Sequence, residues 1–276
     1  MRLSLAIAPH DAQPSAFVVF RDHLHVTIPK VARMGYDGVE LALGRPEDVD
    51  AAEVARMLAD HRLGIAAIST GRVFAEQHAW LSSPDAGVRT RAVTILKGLV
   101  DLAAELGAAR VNIGRVRGGI EEGEAPAAAQ GRFIECIRSV GDHAAPAGIN
   151  LVVEPVNRYE LNFINSVLPD GIGIVDRVGH PNVKLMPDSF HMNIEDAHPE
   201  ESILAAGSRV GYVQVADSNR WAPGQGHIDF RPFFDALAAI GYDDWVSVEM
   251  LPFPSPDLAA EQAVAFLRAW MPSPVA

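Results

Sequence analysis

Apolar residues along this chain follow two alternating rhythms: short, nearly continuous runs bounded by turn residues, and longer stretches with apolar positions three and four apart. The first is the pattern of buried parallel strands, the second that of amphipathic helices packed over them. RLSLAIA (2–8) predicts a strand, the segment around His23 to Gly35 a helix, and GVELAL (38–43) a second strand. Asp50 is placed to cap the helix AAEVARMLADHR, with Glu53 three residues on as in a capping box. GIAAIST (64–70) is the third strand, and the insert GRVFAEQHAWLSSP after it predicts a loop over the mouth of the fold. A long helix runs from Asp85 to Gly107, RVNIG (110–114) is strand four, and residues 126–148 form the next helix. LVVEPV, VKLMPD, VGYVQVAD and WVSVEML supply the remaining strands. Between and after them, SVLPDGIGIVDRVG, PEESILAAG, DFRPFFDALAAIG and PDLAAEQAVAFLRAW supply helices.

The count is eight strands and eight helices with no low-complexity linker, so residues 1–276 are expected to form one domain, a (β/α)8 barrel. An open, doubly wound sheet would alternate in the same way, but no Gly-rich dinucleotide fingerprint follows the first strand. A hydrophobic content of 49% is enough for a full core, and no 18-residue apolar segment or signal-peptide pattern is present, so a cytoplasmic location without membrane partners is expected. A single cysteine, Cys136, excludes an internal disulfide. The formal charge of −12 excludes a phosphate-backbone partner and hence nucleic acid.

Four of the apolar runs end on, or just short of, a group able to hold a metal ion: Glu154, Asp188, Gln214 and Glu249, separated by 34, 26 and 35 positions. Each step accommodates a loop, a helix and a return strand, which is the period of a βα unit. In a closed barrel such strand ends converge on one rim, whereas in an open sheet the outermost pair would stand about 14 Å apart. Three carboxylates inside apolar sequence repel one another unless a cation offsets them. An all-oxygen set suits Mn²⁺ or Mg²⁺, with Co²⁺ also open, better than Zn²⁺.

The segments NRYE (157–160), DSFHMNIED (188–196), VADSNRWAPGQGHIDF (215–230) and the VSVE strand carry a resemblance. The chain resembles the xylose-isomerase-like barrel superfamily, and within it the D-tagatose 3-epimerase group and the related 5-keto-L-gluconate epimerase. The resemblance covers essentially the whole chain and is strongest in its C-terminal half. It implies that Glu154, Asp188, Gln214 and Glu249 fall on four metal-ligand positions, that Glu154 and Glu249 are the acid/base pair, and that Glu160, His191 and Arg220 hold substrate oxygens. It also implies a small sugar or keto-sugar acid as substrate and a homodimer or tetramer. One position departs, since the 3-epimerases carry a histidine where this chain has Gln214, and hydroxypyruvate isomerases are similar to this chain in using glutamine.

The chemistry expected is proton abstraction next to a ketose carbonyl polarised by the ion, with return of the proton from the opposite face giving an epimer. Return to the neighbouring carbon would give an aldose/ketose isomer, so an isomerase such as hydroxypyruvate isomerase is the alternative. More distant alternatives are an apurinic-site endonuclease and a non-catalytic sugar-binding barrel.

The other candidates each have a plain structural role to set beside a functional one. His191 could be a hydrogen-bonded structural residue and Arg220 a surface charge; His227, in GQGHID, is placed with the substrate-facing set as a residue that orients a ligand, with packing of its loop as the structural alternative. Glu40 is expected at the rim end of strand two. Phe74, His78 and Trp80 either wall the pocket or form a dimer contact, and Arg72, Arg115 and Arg117 sit in rim loops where an anionic group could be received.

Overall fold

In the computed structural model, which describes residues 1–14 and 17–271, every long apolar run becomes a strand of one parallel sheet. The strands are β1 (Arg2–Ala8), β2 (Phe20–Arg21), β3 (Gly38–Ala42), β4 (Gly64–Ser69), β5 (Arg110–Ile113), β6 (Asn150–Val153), β7 (Val183–Leu185), β8 (Val213–Val215) and β9 (Trp245–Val248). The short β2 pairs only with the end of β1; the other eight follow the order β7, β6, β5, β4, β3, β1, β9, β8.

The two ends of that order meet. Parallel bridges join Leu185 to Val210 and Asp188 to Gln214, and the Gly211 and Gln214 amides donate to the Leu185 and Pro187 carbonyls, each at 2.9 Å. The Ser189 hydroxyl adds a side-chain stitch, donating to the Ala216 carbonyl and accepting from its amide. The ring closes here, and the fold is the expected (β/α)8 barrel.

Ten α-helices surround the ring among the described residues: α1 (Leu24–Met34), α2 (Ala51–Asp60), α3 (Gly71–Gln77), α4 (Ala86–Leu106), α5 (Pro126–Ala144), α6 (Ile172–Val178), α7 (Ser189–Glu195), α8 (Pro199–Ala206), α9 (Phe230–Ala239) and α10 (Pro256–Trp270). Asp50, Asp85 and Asp229 cap α2, α4 and α9 by accepting backbone N–H bonds. Two helices are additions to the eight expected. The insert after β4, expected as a loop, opens with α3, and the stretch after Asp188 folds as α7 because the Asp188 side chain accepts the Phe190 amide at 2.8 Å.

Strands at the site are shorter than their apolar runs. LVVEPV is ladder only as far as Val153 and VKLMPD only as far as Leu185, since Pro155 and Pro187 have no N–H to donate. Glu154 and Asp188 therefore stand just beyond the strands, on chain that has turned toward the barrel mouth.

Most of the core lies between sheet and helices, with Leu5, Ile7, Leu41, Ile68, Val111, Leu151 and Val213 fully buried. Each such side chain contributes about 1.5–3 kcal/mol. Inside the ring is a smaller cluster of Ala66, Ala67, Val152, Met186, Tyr212 and Trp245. The Trp245 ring plugs the N-terminal end: a Cβ on Gly38 or Gly64 would come within 2.6 or 2.8 Å of it, so both positions require glycine. Above this plug the interior is polar, holding Ser4, Glu40, Gln214 and Ser247. No helix among the described residues is long and apolar enough to cross a membrane.

Candidate active site

The C-terminal ends of the strands open into a cleft with about 560 Å³ of empty space, mouth included. Glu154, Glu160, His191, Arg220 and Glu249 line it together. Glu154 follows β6, His191 rides on the first turn of α7, Arg220 is carried by the loop after β8, and Glu249 directly follows β9.

At the floor, one ligand atom each from Glu154, Asp188 and His191 lie within 4.8 Å of one another, all three residues buried. His191 Nε2 is 3.3 Å from Glu154 Oε1 and 3.8 Å from Asp188 Oδ2. The hydrogen-bond network assigns its tautomer. Asn157 Oδ1 accepts the Tyr159 amide at 3.0 Å, which leaves Asn157 Nδ2 to donate to His191 Nδ1 at 2.8 Å. With Nδ1 accepting, the proton sits on Nε2 and points at Glu154.

Two further oxygens face the same problem from opposite sides of the ring's closing seam. Asp188 Oδ1 caps α7, while Asp188 Oδ2 is buried without a hydrogen-bond donor. Gln214 Nε2 donates to Glu40 Oε1 at 2.8 Å, and Gln214 Oε1 is likewise buried and unpartnered. A buried acceptor without a donor costs about 1–3 kcal/mol. A hard divalent cation satisfies such oxygens, so the donor set of this floor fits the expected metal.

Glu40 departs from its expected place. The register pairs it with Ala6 and Ala67 in the middle of the sheet, so it lies inside the barrel, fully buried, accepting from Tyr212 Oη and Gln214 Nε2 at 2.8 Å each. Burial pushes its carboxyl up, while Ser247, Tyr212 and Gln214 hold it back.

Arg220 forms the opposite wall. Its Nη1 donates to Glu160 Oε1 at 2.6 Å and its Nη2 to Glu249 Oε2 at 2.8 Å, and the guanidinium is sandwiched between Phe17, at 3.9 Å, and Phe190, at 4.8 Å. The residue adopts φ +60°, a left-handed conformation that costs a non-glycine residue about 1–3 kcal/mol. The surrounding loop over-determines it: the Arg220 amide donates to the Asp217 carbonyl, and its own carbonyl accepts from Leu251.

The two glutamates experience opposed environments. Burial raises the Glu154 carboxyl, but the hydrogen bond from His191, with the charges of Arg220 and Arg117, outweighs it and holds the group below the ordinary range. Burial raises Glu249 well above that range, and Glu154, Glu40 and Asp188 add to this against the pull of Arg220. Asp188 is also raised, by burial and by the nearby Glu154 charge.

Other expected residues are placed differently. His227 is exposed, its Nδ1 3.0 Å from the Ser218 hydroxyl, and it does not line the cleft. Half-buried Phe74 of α3 meets Trp80 at a tilt of 57°, while Gly71, Arg72 and Ala75 of the same helix face the cleft; exposed His78 ends that helix. Arg72 is bound by Glu76 and Asp48, and fully buried Arg117 donates to the carbonyls of Gly114, Glu154, Phe163 and Ile164. Burial pushes Arg117 down to about 10, against the charges of Glu154, Glu160 and Asp170.

Residues that sequence reading passed over include Asn157, Asn112 and Asp217. Asn157 lies inside the NRYE segment, which was its only signal. Asp217 accepts the Ser218, Gly224 and Ile228 amides and so shapes the loop that presents Arg220.

The comparisons with known proteins agree with this geometry. The model of the xylose isomerase-like TIM barrel family matches residues 28–270. An L-ribulose 3-epimerase of Mesorhizobium japonicum is 36% identical over 230 residues, 83% of this chain and 76% of that one. A D-psicose 3-epimerase of Ruminiclostridium cellulolyticum is 34% identical over 82% of this chain and 77% of its own length. Among solved structures, a D-allulose 3-epimerase from Methylomonas sp. in complex with D-allulose superposes with a TM-score of 0.81 at 28% identity, covering 97% of each chain. A family match over most of the chain, a closed barrel and a polar cleft at its C-terminal rim have one reading: this chain belongs to the xylose isomerase-like TIM barrel family.

Proposed function

We propose that residues 1–276 act as one catalytic domain, a divalent-metal-dependent ketose 3-epimerase. The observation that carries the reading is the meeting, in one cleft, of two glutamates held in opposed electrostatic environments above two unpartnered oxygens, Asp188 Oδ2 and Gln214 Oε1. The named activities of the relatives support it.

Glu154, Asp188, Gln214 and Glu249 would hold a divalent ion, Mn²⁺ in our reading, which would supply electrophilic polarisation of the ketose carbonyl. Glu154, kept ionised, takes the proton from C3 on one face, and Glu249 delivers one from the other; the roles exchange for the reverse reaction. His191 Nε2–H donates to a substrate oxygen at the floor, and the Arg220–Glu160 pair fixes the oxygens on the far wall. Phe17, Val18 and Val156 line the cleft and limit water beside the reacting carbon. A cytoplasmic location and a homodimer or tetramer complete the proposal, and light scattering decides the assembly.

Incubating ketopentoses and ketohexoses in D₂O with Mn²⁺ tests the reaction. Deuterium at C3 of both epimers, with Glu154→Gln and Glu249→Gln each lowering turnover by roughly three orders of magnitude or more, is the expected result. Label beside an aldehyde would indicate the isomerase that Gln214 brings to mind, and retained activity in either variant would overturn the two-glutamate scheme.

A further inference from the structure

Four arginines stand at or behind the cleft, and three have their charge or their donors accounted for. Arg220 is shared between Glu160 and Glu249, Arg72 is held by Glu76 and Asp48, and Arg117 is spent on four backbone carbonyls. Arg115 differs. It lines the cleft, its Nε is buried without a hydrogen-bond partner, and no carboxylate among the described residues reaches its guanidinium. The guanidinium lies 5.1 Å from the centre of the Phe74 ring, which in turn packs on Trp80. This aromatic backing fixes its position without neutralising it.

The chain places Arg115 directly beside the chemistry. Gly114 lies so tightly against Glu154 that a Cβ there would stand 2.3 Å from Oε2, and Arg115 is the next residue. It therefore stands beside Glu154 on the cleft surface. The cleft surface carries three carboxylates, Glu154, Glu160 and Glu249, and three arginines, of which Arg72 and Arg220 are paired with carboxylates and Arg115, among the described residues, is not. An unpaired guanidinium on such a surface attracts an anionic group, whereas a neutral ketose would gain little from it. A planar guanidinium with free donors matches a carboxylate or phosphate through paired hydrogen bonds.

We propose that the substrate carries a terminal carboxylate or phosphate and that Arg115 receives it. The proposal rests on the epimerase reading above and names the class of ketose within it.

The test compares neutral ketoses, ketose phosphates and keto-sugar acids of equal carbon number as substrates of the Mn²⁺-loaded enzyme, with Arg115→Met and Arg115→Lys alongside. Arg115→Met keeps an apolar stem against Phe74, and Arg115→Lys keeps the charge without the fork. The expected wild-type result is a kcat/KM at least about tenfold higher for one anionic class than for its neutral counterpart. Arg115→Met should lower that ratio about a hundredfold, mainly through KM, and Arg115→Lys should restore part of it. Whether the phosphate or the acid is preferred identifies the group. A wild type that prefers neutral ketoses, or a ratio untouched by Arg115→Met, overturns the assignment and leaves the epimerase reading standing. Failure to turn over a ketose of any charge overturns both.

Discussion

At the scale of single residues, the orientation of one amide decides how the floor of the cleft works. Glu40 accepts from Gln214 Nε2, so the Gln214 carbonyl oxygen is left to face a cation; without that bond the amide is free to flip and present N–H groups instead. Glu40 is thus a positioning residue one step removed from the metal. Glu40→Gln, which preserves shape but replaces one of the two accepting oxygens, toward Gln214 or toward Tyr212, with an N–H, should leave the fold intact and weaken Mn²⁺ binding by about 10- to 100-fold, measured by calorimetry or chelator competition. Unchanged affinity would mean that Gln214 does not serve as a ligand. The sequence put Glu40 at the rim for a physical reason. Alternation tells which way a strand residue faces, but its height in a barrel depends on the register with two neighbouring strands, and that register is not local information.

Elements tell a similar story about what is local. The long apolar runs and the Asp caps of α2, α4 and α9 were legible because each depends on a few consecutive residues. So were Glu154, Asp188, Gln214 and Glu249 as residues at or near the ends of successive strands. The helix α7 was not, since seven residues are too few to show a period and the Asp188 that starts it had already been assigned as a ligand. Asp188 does both, capping α7 through Oδ1 and leaving Oδ2 for the cleft. The two roles separate by substitution. With metal chelated, Asp188→Asn should match or exceed wild-type stability, because asparagine is a good cap and the buried charge is gone. Asp188→Ala should fall about 1 kcal/mol below Asp188→Asn in denaturant titration. Equal stability of the two variants would remove the cap from the account. Both should lose Mn²⁺ affinity.

On the scale of the whole molecule, barrel closure converts a sequence period into a site. Eight strands in a ring bring the ends of β6, β7, β8 and β9 to one mouth, which the chain order alone could suggest but only closure could guarantee. What sequence could not supply was the pairing of charges across that mouth. Arg220 reaches Glu160 across 60 positions and Glu249 across 29, Arg115 reaches no carboxylate among the described residues, and His227, near Arg220 in the chain, faces solvent. Each outcome depends on loop conformation, which in this rim is set by Asp217 and by the left-handed Arg220 backbone.

The seam between β7 and β8 is stitched by the Gly211 and Gln214 amides and the Ser189 hydroxyl, and Asp188 and Gln214 stand one on either side of it. An ion gripped by both would act as a clasp, so that emptying the site and loosening the ring become one event. Amide hydrogen exchange reads this directly: on chelation the Gly211 and Gln214 amides should lose protection well before those of β1 and β3, whereas uniform loss around the ring would mean no clasp. In a cell short of the ion, such an enzyme would begin to come apart at its own active site, and supply of the metal would set how long each molecule lasts as well as how fast it turns over.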